Sequence, residues 1–147
     1  MTKEDKELLL KGLCARLPYK VKCCIYNFGE DTVRIKEDVL WSVQGDNVLT
    51  LKSCVEKGEA YMYHQIKPYL FPLSSMTKEQ LFDVQDILGK NEIKIEDGFI
   101  HIVDSERNTI SYLEILALLE WFYKNHFDVN NLIHKKLAVN ATGLNIY

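Results

Sequence analysis

Chemistry in this chain has to come from a short roster of side chains. His126 and Asp128 stand two residues apart in Asn125-His126-Phe127-Asp128, with His134 a helical step or two further on. A histidine beside a carboxylate can serve as an oriented general base or help to hold a metal ion. A small hydrolase centred on His126 and Asp128 is therefore one reading of the chain. The same pair in a turn also satisfies backbone groups, and the sequence favours that use. His64 and His101 lie far off, and no HxH or HExxH spacing gathers a ligand set. Ser74 and Ser75 precede a helix start but lack a GxSxG elbow. The seven glycines are dispersed, without the spacing of a phosphate-cradling loop. Cys14, Cys23, Cys24 and Cys54 contain no CxxC pair. On a strand, Cys23 and Cys24 would point to opposite faces and could not grip one ion together. Buried free thiols are expected, with no metal and no cofactor. Glu114 and Glu120 fall about 120° apart on a helical wheel. They read as a solvated edge, with Lys124 one turn beyond Glu120.

The least ordinary feature is aromatic. Tyr61, Tyr63, Tyr69 and Phe71 crowd around Lys67, and Trp41 lies in an earlier segment. Tyr and Trp beside a cation suit a protein interface or stacked bases. They also suit the junction between a sheet and the helix that follows it, and the sequence favours that packing use, since large aromatics dominate cores as well. Taken as a binding surface, Trp41, Tyr61, Tyr63, Lys67, Tyr69 and Phe71 describe a non-catalytic binding or adaptor protein whose partner is another protein. A third reading places single-stranded nucleic acid on Tyr26, Arg34 and Lys36. A net charge of -3 disfavours it, since nucleic-acid binders carry a basic surplus.

The elements that must position these groups follow from hydrophobic period. Thr2 to Leu17 reads as a capped helix with Leu9, Leu10, Leu13 and Leu17 at helical spacing, stopped by Pro18. From Tyr19 the period changes to two. Val21-Cys23-Ile25, Val33-Ile35, Val39 to Val43, Val48 to Val55 and Ala60 to Ile66 read as five short strands. Asn27-Phe28-Gly29-Glu30-Asp31, Gln44-Gly45-Asp46-Asn47 and Lys57-Gly58-Glu59 separate them, which suggests an antiparallel meander that could curl into a small, partly open barrel. Lys67 to Met76 reads as a connector held open by Pro68 and Pro72. Thr77-Lys78-Glu79-Gln80 opens a helix to Leu88 with Leu81, Val84 and Leu88 as its stripe, and Gly89 stops it. Glu92 to Ile95 and Phe99 to Val103 form a hairpin about Glu96-Asp97-Gly98. Ser111 to Glu114 caps the most apolar helix, on which Leu118, Phe122, Ile115, Leu119, Tyr112, Tyr123 and Leu116 fill an arc of roughly 160°. That helix is expected to be the central packing element. A short C-terminal helix, capped by Asn130 or Asn131, carries Leu132, Ile133 and Leu137.

These elements make one α+β domain over residues 1–147, with a possible subdivision near Ser74 into 1–73 and 74–147. At 147 residues, 47% hydrophobic and 27% charged, the chain can bury a core without staples. The longest apolar run, Ile115 to Leu119, is far short of the ~18–20 residues that span a bilayer. The first residues lack the apolar stretch of a signal peptide, so a cytoplasmic protein is expected.

Three stretches carry a resemblance. They are Met1 to Lys11 with Cys14-Ala15-Arg16-Leu17-Pro18-Tyr19, Lys67-Pro68-Tyr69-Leu70-Phe71-Pro72-Leu73-Ser74-Ser75-Met76-Thr77-Lys78-Glu79, and His126-Phe127-Asp128 with Leu132-Ile133 and Leu137-Ala138. Together they resemble small proteins of Bacteroides-type gut bacteria and of their phages or mobile elements. The family pattern usually has Arg where Phe71 stands and an Arg-Gly pair near Asn130-Asn131, so a role resting on those basic residues does not transfer. The resemblance implies accessory work and no particular activity.

Overall fold

Thr2 starts the first helix, α1 (Lys3–Arg16). Its hydroxyl accepts the Asp5 N–H at 3.1 Å while the Asp5 carboxylate accepts the Thr2 N–H, so two of the orphan donors at the helix start are satisfied. Leu9, Leu13 and Arg16 lie on one face and are buried. Pro18 forces a 3₁₀ turn over Leu17–Tyr19, and Lys20 adopts a left-handed conformation that redirects the chain. The computed structural model describes residues 1–27, 33–44, 48–89, 91–96, 99–103 and 110–147. The expected turn residues Phe28 to Asp31, Gly45 to Asn47 and Asp97-Gly98 lie outside that set.

Six strands form one mixed sheet: β1 (Lys22–Tyr26), β2 (Val33–Gln44), β3 (Val48–Leu51), β4 (Tyr61–Met62), β5 (Ile66–Leu70) and, from the C-terminal tail, β8 (Val139–Asn140). Their order is β4-β3-β2-β1-β5-β8, antiparallel except for the β5–β8 pair. The sheet ends at β4 and β8, so no closed barrel forms among the described residues. A separate hairpin, β6 (Glu92–Glu96) and β7 (Phe99–Val103), pairs in full register. With α2 (Lys78–Leu88) and α3 (Tyr112–Lys124), the fold is α+β.

Several boundaries differ from the sequence reading for physical reasons. Val33 to Val43 is one strand rather than two. The strand expected over Ala60 to Ile66 is reduced to Tyr61–Met62, because Tyr63–Gln65 winds into a 3₁₀ turn tied by the Gln65 side chain to the Met62 N–H. The supposed connector is instead β5, lying between β1 and β8. Proline is tolerated there by position. The Leu70 carbonyl accepts from Ala141, so by two-residue alternation Pro68 turns its missing N–H to that same side, where β8 pairs only with Tyr69 and Leu70.

The sheet buries both faces. On one side α1 packs Leu9 and Leu13 against Val21, Cys23, Ile25 and Leu51. Each fully buried Leu there contributes roughly 1.5–3 kcal/mol. On the other side Cys24 and Tyr69 meet Ala141 and Ile146. Cys23 and Cys24 thus do face apart. A third cluster joins α2, α3 and the hairpin around Val84, Leu88, Leu118, Phe122 and Phe127.

Two expectations fail here. Helix α3 is not a central packing helix: of its apolar arc only Leu118 and Phe122 are buried, while Tyr112, Ile115, Leu116 and Leu119 face out. Nor does a C-terminal helix form. The Asp128 carboxylate accepts the N–H groups of Leu132 at 2.9 Å and Ile133 at 2.7 Å, as a cap would. Asn131 and Lys136 then take left-handed conformations, and the segment continues as a chain of turns.

Candidate functional site

Trp41 is the point where the sheet breaks its own regularity. Leu40 pairs with Leu51 and Ser42 with Thr50, so Trp41 is an extra residue on β2, a bulge. A bulge re-aims its side chain, and this one leaves Trp41 55% exposed on a strand interior to the sheet. An indole so exposed forgoes much of the burial free energy a tryptophan can supply.

Two depressions flank the ring and share Lys52. One, of about 500 Å³, is lined by Asp38, Trp41, Lys52, Ser53, Val55 and Glu56. The other, of about 350 Å³, is lined by Leu17, Pro18, Lys20, Val39, Leu40, Trp41 and Lys52. Both volumes fall in the range of ligand clefts. Asp38 is committed: its oxygens accept the Val39 N–H at 2.7 Å, the Ser53 N–H at 3.1 Å and the Ser53 hydroxyl. These bonds tie the Lys52–Cys54 turn to β2 and fix the wall of the cleft. Lys20 and Lys52 have no partner among the described residues. The smaller depression is therefore an apolar floor of Leu17, Pro18 and Trp41 with the ammonium groups of Lys20 and Lys52 beside it, and the larger one adds the carboxylate of Glu56.

The other aromatic candidates do not join Trp41. Tyr61 is buried, its hydroxyl donating to Glu59 at 3.0 Å and lying 3.6 Å from the Cys54 sulfur. Tyr63, half-buried, is covered by the Lys6 ammonium at 4.9 Å from the ring centre. Lys67 sits 4.6 Å over the Tyr26 ring, on the opposite face of the sheet from α1. Tyr69 is buried beside Cys24, and that burial pushes its phenol up to about 12. Phe71 lies between Phe127 and Tyr147, at 6.1 and 5.8 Å. Of this group, Trp41 alone is an exposed aromatic side chain. The side chains of Arg34 and Lys36 lie outside the described residues.

His126 and Asp128 occupy a different place. Backbone pairing puts them there: the Phe71 N–H donates to the His126 carbonyl at 3.0 Å and the Asp128 N–H to the Phe71 carbonyl at 2.8 Å. The His126 ring stacks on Tyr147 at 4.1 Å. Arg16, fully buried, donates to the carbonyls of Gly12 and Phe127 and lies over the Tyr123 ring. Burial, with the Arg16 charge second, depresses the imidazole to about 4. Asp128 gives both oxygens to backbone N–H groups, and the His126 Nδ1 has no hydrogen-bond partner among the described residues, so nothing there orients it as a base. Among the described residues no His, Cys, Asp and Glu gather as a metal-ligand group. The cysteines stay free: Cys23, Cys24 and Cys54 are buried as expected, but Cys14 is exposed, on the outer side of α1.

Sequence reading marked Trp41 but missed Pro18, Lys20 and Lys52. Lys20 carried no signal, since a left-handed lysine after a 3₁₀ turn is set by tertiary packing. Comparison of the chain with protein-family models, with curated proteins and with solved structures finds no match in any of the three.

Proposed function

We propose that the chain is a non-catalytic binding protein that takes an extended segment of a protein partner across Trp41. The observation that supports this is the exposed indole on a bulge, set between two clefts that share Lys52. Trp is the residue most enriched among binding hot spots, and a rigid ring on a sheet loses little freedom on binding. The partner chemistry follows from the lining. An apolar side chain packs on Trp41 and Pro18, and a neighbouring carboxylate meets Lys20 and Lys52. Accessory work in a phage or mobile element, as the family resemblance suggests, accords with this role.

Peptide display on the immobilised protein tests the reading. Selected peptides should pair an apolar residue with Asp or Glu, and Trp41→Ala should weaken them at least ~10-fold, as loss of a hot-spot residue does. The variant should melt as the parent does, because the ring is exposed. Lys20→Glu with Lys52→Glu should abolish the acidic preference. Peptides indifferent to Trp41→Ala would refute the assignment.

A further inference from the structure

On the reading that Trp41 anchors a peptide, we infer that the cleft also sorts the charge of that peptide. It takes a basic side chain on one side of the apolar anchor and an acidic one on the other, with Glu56 as the residue that selects the base. The two depressions beside the ring differ in sign. Among the described residues the smaller is lined by the ammonium groups of Lys20 and Lys52 and by no carboxylate. The larger sets two carboxylates, Asp38 and Glu56, against Lys52 alone. Lys57, next along the turn, does not line it.

The two carboxylates have different work. Asp38 gives its oxygens to Val39 and Ser53, so it adds negative field to the larger depression but has little left to bond a ligand. Glu56 is exposed and enters no hydrogen bond or ion pair among the described residues, so it can meet a cation without first giving up a partner. An extended segment advances about 3.3 Å per residue and shows alternate side chains on one face. A residue seated on the indole therefore has its next same-face neighbours about 7 Å away on either side. The two depressions meet at Trp41, so one neighbour falls toward each. A segment reading base-x-apolar-x-acid, in either backbone direction, satisfies both. Two acids would set one of them against Asp38 and Glu56, and two bases would set one against Lys20 and Lys52. Like charges so opposed are how an interface rejects a wrong partner. A nucleic-acid strand, negative throughout, suits only the smaller depression.

The test is a set of labelled peptides with a central Phe and with Lys, Glu or Ala two residues to either side, titrated with the full chain by fluorescence polarisation. Peptides carrying Lys on one side and Glu on the other should bind best, each charge adding about two- to fivefold over Ala, the range of an exposed ion pair. Glu56→Lys should remove the gain from Lys and favour the peptide with Glu on both sides. Its melting temperature should match the parent's, because the side chain is exposed. The charge preference should fade in ~0.5 M salt, where the screening length is about 4 Å, while the Phe contribution stays. Trp41-dependent binding in which Lys and Glu score alike, or in which Glu56→Lys changes nothing, overturns the charge sorting and leaves the cleft reading standing. So does an oligothymidine that competes with the peptides on equal terms. Binding absent at ~1 mM protein, or indifferent to Trp41→Ala, takes down both together.

Discussion

Acid should loosen this protein through one imidazole. His126 is 8% exposed, its Nδ1 has no hydrogen-bond partner among the described residues, its ring lies flat on Tyr147, and the Arg16 guanidinium is its charged neighbour. Protonation would place a second positive charge in a space that already holds one. The folded-state value, about 4, lies below the 6.5 of an unfolded chain, so the unfolded state binds the extra proton between those limits. The stabilisation is complete above pH 6.5, declines as pH falls through that window and is spent below 4. From pH 7 to pH 5 the linkage relation gives about 2 kcal/mol. For a chain of this size that is a fall in Tm of about 6 °C. The control is His126→Asn, which does not titrate and tolerates the left-handed backbone found at this position. Thermal melts of both proteins at pH 7, 6 and 5 should give the parent the steeper descent, the excess being about 6 °C at pH 5. Parallel descents would show that His126 is solvated in both states, and would undo the account of the site as a dry polar joint.

Two further outcomes follow from buried groups. Arg16→Ala removes a guanidinium that joins α1 to the Phe127 carbonyl and leaves that carbonyl only the Val129 N–H, at 3.1 Å. Urea denaturation should show a loss of about 3 kcal/mol, and a loss under 1 kcal/mol would mean that water replaces the side chain. Thiol titration of the native protein with a disulfide reagent should consume one equivalent within minutes, from Cys14. Cys23 and Cys24, whose thiols burial pushes up, and buried Cys54 should react only after unfolding, and Cys14→Ser should abolish the fast phase.

Local rules served the fold well where the deciding physics is local. The three capping boxes at Thr2, Thr77 and Ser111 form as their spacing requires, since each is a contract among four consecutive residues. The hairpin of β6 and β7 likewise depends on near neighbours. Errors collect where a distant segment decides. Lys67 to Leu70 looked like a proline-held connector because nothing nearby shows that β1 and the tail will pair with it. The tail itself, without a period, contributes β8 and the ring that covers His126. The apolar arc of α3 was read correctly as apolar and wrongly as buried, because amphipathic spacing says which face avoids water but not which molecule covers it.

The candidate site was legible only as a residue type. Trp41 drew notice as an aromatic, but the property that sets it apart is a register slip between β2 and β3, and a slip belongs to a pair of strands rather than to either sequence alone. His126 and Asp128 show the converse. Their types announced chemistry, and their surroundings give them structural work. Asp128 closes a turn, and His126 carries a backbone bond to Phe71 while Arg16 holds the carbonyl between them. The α1–sheet core and the α2–α3–hairpin core thereby meet at Arg16 and Phe127. A buried arginine is a costly way to fasten two apolar bodies, since hydrophobic contact alone would do so more cheaply. What it adds is direction: a planar donor bonded to two carbonyls on different segments admits one orientation of α1 against the 126–128 turn, where apolar side chains would tolerate several.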